Sequence, residues 1–309
     1  MSAVMTADAP GAAARRDGSK PRKAGKRGPG SGAFWLIAPA LVLIGVFLVL
    51  PYLNIIGMSL RPTAVGAPYG AGFTLANYAS ALGDRYVLGV LADTLLLGVT
   101  TVPICLLLGY PVAYHLARTR SRWGSLLYVL VLSPLLVGVV VRSFGWLILL
   151  SGNGVINRTL IDLGLLTTGL QLMNNRLGVT IALVHVFLPF MILPLVGVIQ
   201  SIDPTLEQAA RSLGASRLKV FWRLVLPMSW PGIQAGTILV FVLTLSAYVT
   251  PVMLGGAQVK TMSVLVVQNL IDNFQWPAGA AQALVLSACG MVAVWLYARL
   301  TGRFMKGLQ

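Results

Sequence analysis

The sequence predicts an all-α integral membrane protein with six transmembrane helices and a polar insertion between the fourth and the fifth. The 309 residues are 57% hydrophobic and only 10% charged, whereas a soluble domain carries about 25% charged residues. Six apolar runs are each long enough for a helix to cross a bilayer, which takes roughly 20 residues. One segment, residues 203–227, is polar and basic and separates two of these runs. We call this segment the polar insertion.

The six apolar runs divide the chain in order. Because they are continuous rather than alternating, helices are favoured over the strands of a barrel. The first run follows a basic region, as in a signal peptide, but it is much longer than the ~7–15 apolar residues of such a signal. We therefore predict spans at residues 34–60, 90–117, 126–150, 177–199, 232–254 and 280–300.

The remaining organisation follows from composition and charge. Residues 1–30 are rich in Ala, Gly, Lys, Arg and Pro, so we expect a disordered basic tail before a transmembrane domain at residues 31–305. Seventeen of the 23 Lys and Arg residues lie in the tail, the second and fourth connections and the C-terminal end, against five on the opposite side. The excess of cations predicts that both termini are cytoplasmic.

Several classes of function are disfavoured by the sequence. Cys105 and Cys289 lie inside apolar runs, and His115 and His185 are far apart, so no metal site is expected. The positive charge is too unevenly spread to suggest a nucleic-acid partner. A phosphate loop of the form G-x-x-x-x-G-K-[ST] is absent from the sequence. We therefore expect no catalytic residue, no bound cofactor and no ATP hydrolysis by this chain.

The polar insertion carries the signals of two short helices. Asp203 is placed to cap the first helix and Pro204 suits its first position. Gly214 is placed for a left-handed C-cap. A second helix, residues 216–226, is expected to stop at Pro227. One face of the first helix is apolar, with members Leu206, Ala209, Ala210 and Leu213.

Two interpretations of the polar insertion follow from these residues. Glu207 precedes Arg211 by four residues, which predicts an exposed ion pair worth roughly 0.3–0.5 kcal/mol. The small alanines would let the first helix settle closely into a groove of another protein. The alternative is an ordinary amphipathic loop at the membrane surface.

The segment from Glu207 to Gly214, EQAARSLG, followed by Leu226-Pro227, resembles the EAA loop of ABC importer membrane subunits. Gln208 departs from the pattern, in which Ala is usual. The resemblance implies a type I (MetI-like) permease fold, in which this loop is a coupling helix that sits in a cleft of a cytoplasmic ATPase. The coupling residues that it implies are Glu207, Ala209, Ala210, Gly214, Leu226 and Pro227.

Further segments are similar to the spermidine/putrescine permeases, in order over about residues 35–300. They are GYPVAY from Gly109, RSFGW from Arg142, SAYVTPVMLGG from Ser246 and DNFQWPAGAA from Asp272. The resemblance implies import of a polyamine such as putrescine or spermidine. Permeases for iron, sulfate, thiamine and phosphonate compounds share this architecture, so these solutes stay open as alternatives.

The resemblance also implies a location and partners. It places the chain in a bacterial inner membrane, in contact with lipid. It implies two cytoplasmic ABC ATPase subunits that use the ATP, a second permease subunit that completes a heterodimeric pore, and an extracytoplasmic substrate-binding protein.

Two ionisable residues are expected in or near the hydrocarbon, Asp93 in the second span and Arg142 in the third. A charge buried there costs a few kcal/mol or more unless it has a partner or faces water. We expect neighbouring antiparallel helices to bring the two together. They then form either a structural ion pair or a polar station on the substrate path.

Tyr248, Thr250 and Pro251 are expected to interrupt the fifth span. The interruption is either a gate or a simple kink. Trp146 is expected in an outer aromatic belt, or else in a gate or receptor contact, and His185 is expected to be a packing or interfacial residue rather than a ligand.

The sequence disfavours two other classes of function. A gradient-driven secondary transporter would show internal repeats or several intramembrane carboxylates, and the sequence shows neither. A membrane scaffold without transport would need no interrupted helix.

Overall fold

A computed structural model describes residues 31–64, 67–119 and 121–306. The predicted disordered tail, residues 1–30, lies outside these ranges. The described residues form helices and turns without a strand, which confirms the all-α class. The α-helices are α1 (Ser31–Ser59), α2 (Ala76–Gly83), α3 (Arg85–Arg118), α4 (Arg122–Leu136), α5 (Val139–Leu150), α6 (Val155–Asp162), α7 (Arg176–Ser201), α8 (Pro204–Ser212), α9 (Arg217–Val220), α10 (Leu226–Met228), α11 (Trp230–Leu245), α12 (Val249–Gly255), α13 (Met262–Val267) and α14 (Trp276–Lys306).

The chain separates into two compact units, residues 1–51 and 52–309. The described part of the first unit is the beginning of the apolar helix α1. The second unit contains the end of α1 and helices α2 to α14, together with two π-helical turns, Phe221–Val225 and Gln268–Asp272.

The helices of membrane-spanning length match the predicted number. Within the described ranges, five segments are long and apolar enough to cross a bilayer, and a bent pair of helices supplies a sixth. The five are Ile37–Ser59, Arg85–Arg118, Val139–Asp162, Arg176–Ser201 and Trp276–Gly302, and the bent pair is Arg217–Met228 with Trp230–Leu245. The described residues thus contain five such segments, or six if the bent pair is one span, and the helical insertion precedes the last two.

The third predicted span is wrong in its bounds. The apolar run at residues 126–150 does not form one helix, because α4 ends at Leu136 and α5 begins at Val139. Pro134 lies in the last turn of α4 and has no N–H with which to continue the hydrogen-bond ladder. The segment of spanning length begins after this break, at Val139.

The core of the second unit lies where α3, α7 and α11 pack together. Its fully buried members include Leu97, Cys105, Ala113, Leu183, Met191, Leu195 and Val240. Gly236 of α11 meets Met191 of α7 so closely that a Cβ on Gly236 would lie 2.7 Å from the Met191 Sδ atom. Small residues allow such close helix contacts in membranes. The polar insertion leaves this packed bundle at the ends of α7 and α11.

Candidate functional site

Helix α8 begins and ends with the caps that the sequence predicted. The Asp203 Oδ1 atom accepts a hydrogen bond of 2.9 Å from the backbone N–H of Thr205, and this bond lowers the pKa of the exposed Asp203 carboxyl below its ordinary value. At the other end, Gly214 has φ +85° and its N–H donates to the Arg211 carbonyl at 2.9 Å. An L side chain would cost about 1–2 kcal/mol in this left-handed conformation. Glycine therefore permits the sharp reversal between α8 and α9.

Glu207 is the one buried residue of α8. Its Oε2 atom accepts a hydrogen bond of 2.8 Å from the Tyr114 hydroxyl. Its Oε1 atom lies 2.7 Å from Arg118 Nη2, in an ion pair that lacks the alignment of a hydrogen bond. Arg118 Nη1 also donates to the Ile202 carbonyl at 2.9 Å. The predicted exposed pair of Glu207 with Arg211 is therefore wrong, because the end of α3 brings a hydroxyl donor and a guanidinium beneath α8.

The two tyrosines of the GYPVAY segment lie one helical turn apart on α3 and face the polar insertion. The hydroxyl of Tyr110 lies 2.8 Å from the Ser229 hydroxyl. The Phe221 ring packs edge-on against Tyr110 and Tyr114, with centroids 5.4 Å and 6.2 Å away. In the sequence these tyrosines stand out only as part of a segment shared with a family. Their spacing of four residues, continued by Arg118, places all three on one helix face, and this signal could have located the contact.

The polar insertion exposes apolar side chains together with the cations Arg211, Arg217, Lys219 and Arg223. Leu213, expected on the apolar face of α8, is 89% exposed, and Trp222 after α9 is 57% exposed. An exposed apolar patch on a protein surface marks an interaction site. The exposed members are Leu206, Ala209, Leu213, Leu218 and Trp222, with Ala210 partly exposed.

The sequence predicts that the second helix of the polar insertion stops at Pro227. This prediction is wrong, because the helical chain continues through Pro227. Helix α9 passes into the π-helical turn Phe221–Val225 and then into α10, which contains Pro227. The wider turn relieves the clash that a proline ring makes in a regular α-helix. Leu226 packs against the core. Near Ser229 the chain then bends by 64° into α11.

The predicted interruption of the fifth span is present. Helix α11 ends at Leu245, Tyr248 lies in the break with 39% of its surface exposed, and Thr250 and Pro251 are buried in the first turn of α12. The Leu245 carbonyl, freed by the break, accepts a hydrogen bond of 2.6 Å from the Ser263 hydroxyl. Broken helices are tolerated at membrane depth where protein groups supply such partners.

Helix α5 contacts its neighbours through two polar pairs. The Ser143 and Thr250 hydroxyls are 2.9 Å apart and buried, which joins α5 to α12. The Trp146 Nε1 atom donates to His185 Nδ1 at 3.1 Å, which joins α5 to α7. Trp146 therefore contacts the neighbouring helix α7, and its place in an outer aromatic belt or in a gate stays a prediction. The His185 ring also packs edge-on against that of Trp146, with centroids 5.5 Å apart.

The predicted pairing of Asp93 with Arg142 is also wrong. Asp93 forms an ion pair with Arg176 at the beginning of α7, and both side chains are nearly half exposed. It lines an open groove of about 310 Å³ together with Arg85 and Lys260. The carboxylate is thus surrounded by cations at one end of the bundle.

Arg142 lies instead against the middle part of α7. Its Nη1 atom is 3.5 Å from the carbonyl of Val186, the eleventh residue of that helix. Within the described ranges, its buried Nε atom has no hydrogen-bond partner. A guanidinium with such weak compensation is costly inside a membrane.

Known proteins resemble this chain over most of its length. The spermidine/putrescine transport system permease protein PotB of Haemophilus influenzae is 32% identical over 253 residues, covering 82% of this chain and 88% of the relative. The protein of the same name from Escherichia coli K12 is 33% identical over 264 residues, covering 85% of this chain and 96% of the relative.

A solved structure shares the fold. One chain of a bacterial alginate ABC transporter, in complex with an alginate pentasaccharide-bound periplasmic protein, matches with a TM-score of 0.73. The match covers 89% of this chain and 96% of that chain at 17% identity, which shows the fold of an ABC importer permease and nothing about the substrate.

The match to a family of known proteins includes the polar insertion and the helices around it. The model of the family described as binding-protein-dependent transport system inner membrane component matches residues 105–306, about two thirds of the chain. This chain belongs to that family of inner membrane transport components.

Proposed function

We propose that the chain is the membrane-spanning permease subunit of an ATP-driven importer, in which the polar insertion couples ATP hydrolysis to transport. The observation that carries the proposal is the capped helical pair with an exposed apolar face, placed between two long apolar helices. The residues proposed to couple the chain to the ATPase are Glu207, Ala209, Ala210, Gly214, Leu226 and Pro227.

The proposed assembly contains more than this chain. Two ABC ATPase subunits bind the polar insertions from the cytoplasm, a second permease completes a heterodimeric pore, and an extracytoplasmic protein delivers the substrate. The chain itself performs no covalent chemistry and binds no cofactor, since ATP is consumed by its partner. Both chain ends lie in the cytoplasm, as the distribution of Lys and Arg predicts.

The proposed substrate is a polyamine such as putrescine or spermidine. The two PotB relatives, named as spermidine/putrescine permeases, cover more than four fifths of the chain at 32% and 33% identity. The residues proposed for the translocation path or gate are Asp93, Arg142, Trp146, Tyr248, Thr250 and Pro251. Tyr248 offers an aromatic face beside the break in span five, and such faces attract organic cations.

One observation favours a different substrate class. Arg142 carries a positive charge that no described carboxylate neutralises, and a cation beside the path repels a polyamine. The second candidate is therefore the import of an anionic solute, such as sulfate or a phosphonate compound, by the same architecture.

Uptake into proteoliposomes tests both candidates. The complete transporter, with its binding protein, is reconstituted and given labelled putrescine or labelled sulfate. We expect putrescine uptake that requires ATP and persists with a protonophore, and no uptake of sulfate. ATP-dependent uptake of sulfate alone would establish the second candidate, and putrescine uptake driven by an ion gradient without ATP would refute the importer mechanism.

A further inference from the structure

We propose that Tyr114 and Arg118 are positioning residues that hold α8 to the end of α3, so that the polar insertion and α3 move as one body during transport. We call their contacts with Glu207 the α3–α8 clamp. The inference rests on the proposed coupling function and deepens it, because it assigns a route for the force to residues outside the EAA-like segment.

The clamp uses both oxygens of one carboxylate. Tyr114 donates to Glu207 Oε2 at 2.8 Å, and Arg118 Nη2 lies 2.7 Å from Oε1. Tyr114 and Arg118 are four residues apart on α3 and therefore project from the same side of the helix. A carboxylate bound on both oxygens has little freedom to rotate, so the contact defines the orientation of α8 as well as its position.

Arg118 also closes the joint between α7 and α8. Its Nη1 atom donates to the carbonyl of Ile202 at 2.9 Å, and Ile202 is the residue that follows α7. A single guanidinium thus contacts the end of α7 and the middle of α8 from its place on α3. The three helices meet at this side chain.

Because the clamp is largely buried, removing one of its partners should destabilise the contact strongly. The side chains of Arg118 and Glu207 are only 16% and 11% exposed, and a buried charge is strongly destabilising when its partner is removed. Glu207 is the only buried residue of α8, whereas Leu206 and Leu213 face outward. The helix that carries the proposed docking face is therefore attached to the bundle by polar contacts rather than by an apolar core.

The aromatic contacts near the clamp also attach the polar insertion to α3. Phe221 packs between Tyr110 and Tyr114, and the hydroxyl of Tyr110 meets that of Ser229 at the bend before α11. Both α8 and the π-helical turn that contains Phe221 thus contact α3. A push on α8 reaches α3 directly instead of travelling only through α11.

The test uses the complete transporter in nanodiscs and two measurements. The variants are Tyr114→Phe, Arg118→Met and Glu207→Gln, and the matched control is Arg122→Met, which removes an exposed cation from the same end of the bundle. Hydrogen exchange reports the protection of the α8 amides. The ATP hydrolysed per solute molecule imported reports coupling, and a general loss of folded protein does not change this ratio.

We expect α8 exchange to rise about tenfold in Arg118→Met, because the change removes the hydrogen bond from the charged guanidinium to the Ile202 carbonyl, and such a bond stabilises by roughly that factor or more. The amides of α7 and α11 should keep their protection. The ATP used per solute should rise in all three variants and not in Arg122→Met. Combining Glu207→Gln with Arg118→Met should add little to Arg118→Met alone, since both remove the ion pair between these two side chains.

Two results would overturn the inference. One is unchanged α8 exchange in Tyr114→Phe and Arg118→Met. The other is increased exchange with an unaltered ratio of ATP to solute, which would make the clamp a local support without a part in coupling. If the wild-type assembly imported no solute with ATP, the proposed function would fail, while the exchange measurement would still decide whether the clamp holds α8.

Discussion

Gly214 shows how one backbone conformation determines the shape of the polar insertion. Its φ is +85°, and no atom lies within 4 Å of a Cβ built there. A substitution therefore acts through backbone strain and not through a steric clash. We expect Gly214→Val to strain the turn by at least about 1–2 kcal/mol and to uncouple the ATPase while the six spans remain folded.

Gly214→Asn is the matched control, because Asn tolerates the left-handed conformation far better than Val does. ATP-driven uptake in proteoliposomes and thermal unfolding of the purified chain are the two measurements. Uptake should fall in the Val variant and stay near the wild-type level in the Asn variant, with similar unfolding temperatures. Equal uptake in all three proteins would contradict the role assigned to this turn.

Residues whose structure depends on near neighbours in sequence were predicted correctly, and those that depend on distant partners were not. Asp203 and Gly214 act on amides within a few residues, so their capping roles follow from local chemistry. Glu207 was predicted to be exposed because a local partner, Arg211, stands four residues away. Its actual partners belong to α3, 93 and 89 positions earlier in the chain, and no local pattern specifies that choice.

At the scale of helices, the packing of α11 on α7 depends on a missing side chain. A Cβ on Gly236 would lie 2.7 Å from the Sδ atom and 3.2 Å from the backbone oxygen of Met191. Met191 is fully buried and cannot move aside cheaply. We expect Gly236→Ala to destabilise the bundle by about 1–3 kcal/mol through overpacking.

Gly197→Ala provides the control for this effect. Gly197 lies on α7 with nothing within 4 Å of a built Cβ, so the added methyl meets open space and raises helix propensity by up to about 1 kcal/mol. Thermal unfolding in nanodiscs should show a lower midpoint for Gly236→Ala and an equal or higher one for Gly197→Ala. If the Gly236→Ala protein were as stable as wild type, α7 and α11 could accommodate the methyl group without loss of stability, and the prediction would be wrong.

Helix breaks inside apolar segments are difficult to predict from the sequence. The break in the fifth span can be predicted from the sequence, because the polar residues Tyr248 and Thr250 precede Pro251. The third span is apolar on both sides of its break, and Pro134 is an ambiguous signal. Pro103 and Pro111 lie inside α3, and Pro189 inside α7, without ending those helices. Whether a proline ends a membrane helix depends on the partners available to the freed carbonyls, which only the fold supplies.

For the whole molecule, the distribution of cations predicts which ends of the helices face the cytoplasm. Ser212 in the polar insertion and Ser80 in α2 are both exposed and lie on opposite sides in this prediction. The two natural cysteines, Cys105 and Cys289, can be replaced so that single new thiols report each side. We expect a membrane-impermeant maleimide to label Ser80→Cys in intact cells and Ser212→Cys only after the membrane is opened.

Retained ATP-driven uptake in each labelled variant is the control for correct insertion. Labelling of Ser212→Cys from outside intact cells would reverse the orientation and remove the polar insertion from the reach of a cytoplasmic ATPase. The six spans, their order and the insertion could be predicted from the sequence of the whole chain. The partners of Asp93, Arg142 and Trp146 could not, because they depend on how the helices turn about their own axes.

The bend of 64° between Arg217–Met228 and Trp230–Leu245 has a mechanical consequence. At this angle, a force along the axis of the shorter segment, Arg217–Met228, acts mainly perpendicular to the axis of the longer one, Trp230–Leu245. The longer segment is the longer arm of this bent pair. Such a force tilts the longer arm instead of sliding it through the lipid. Tilting leaves the depth of the surrounding apolar side chains almost unaltered, so the proposed coupling motion would require little exposure of hydrocarbon to water.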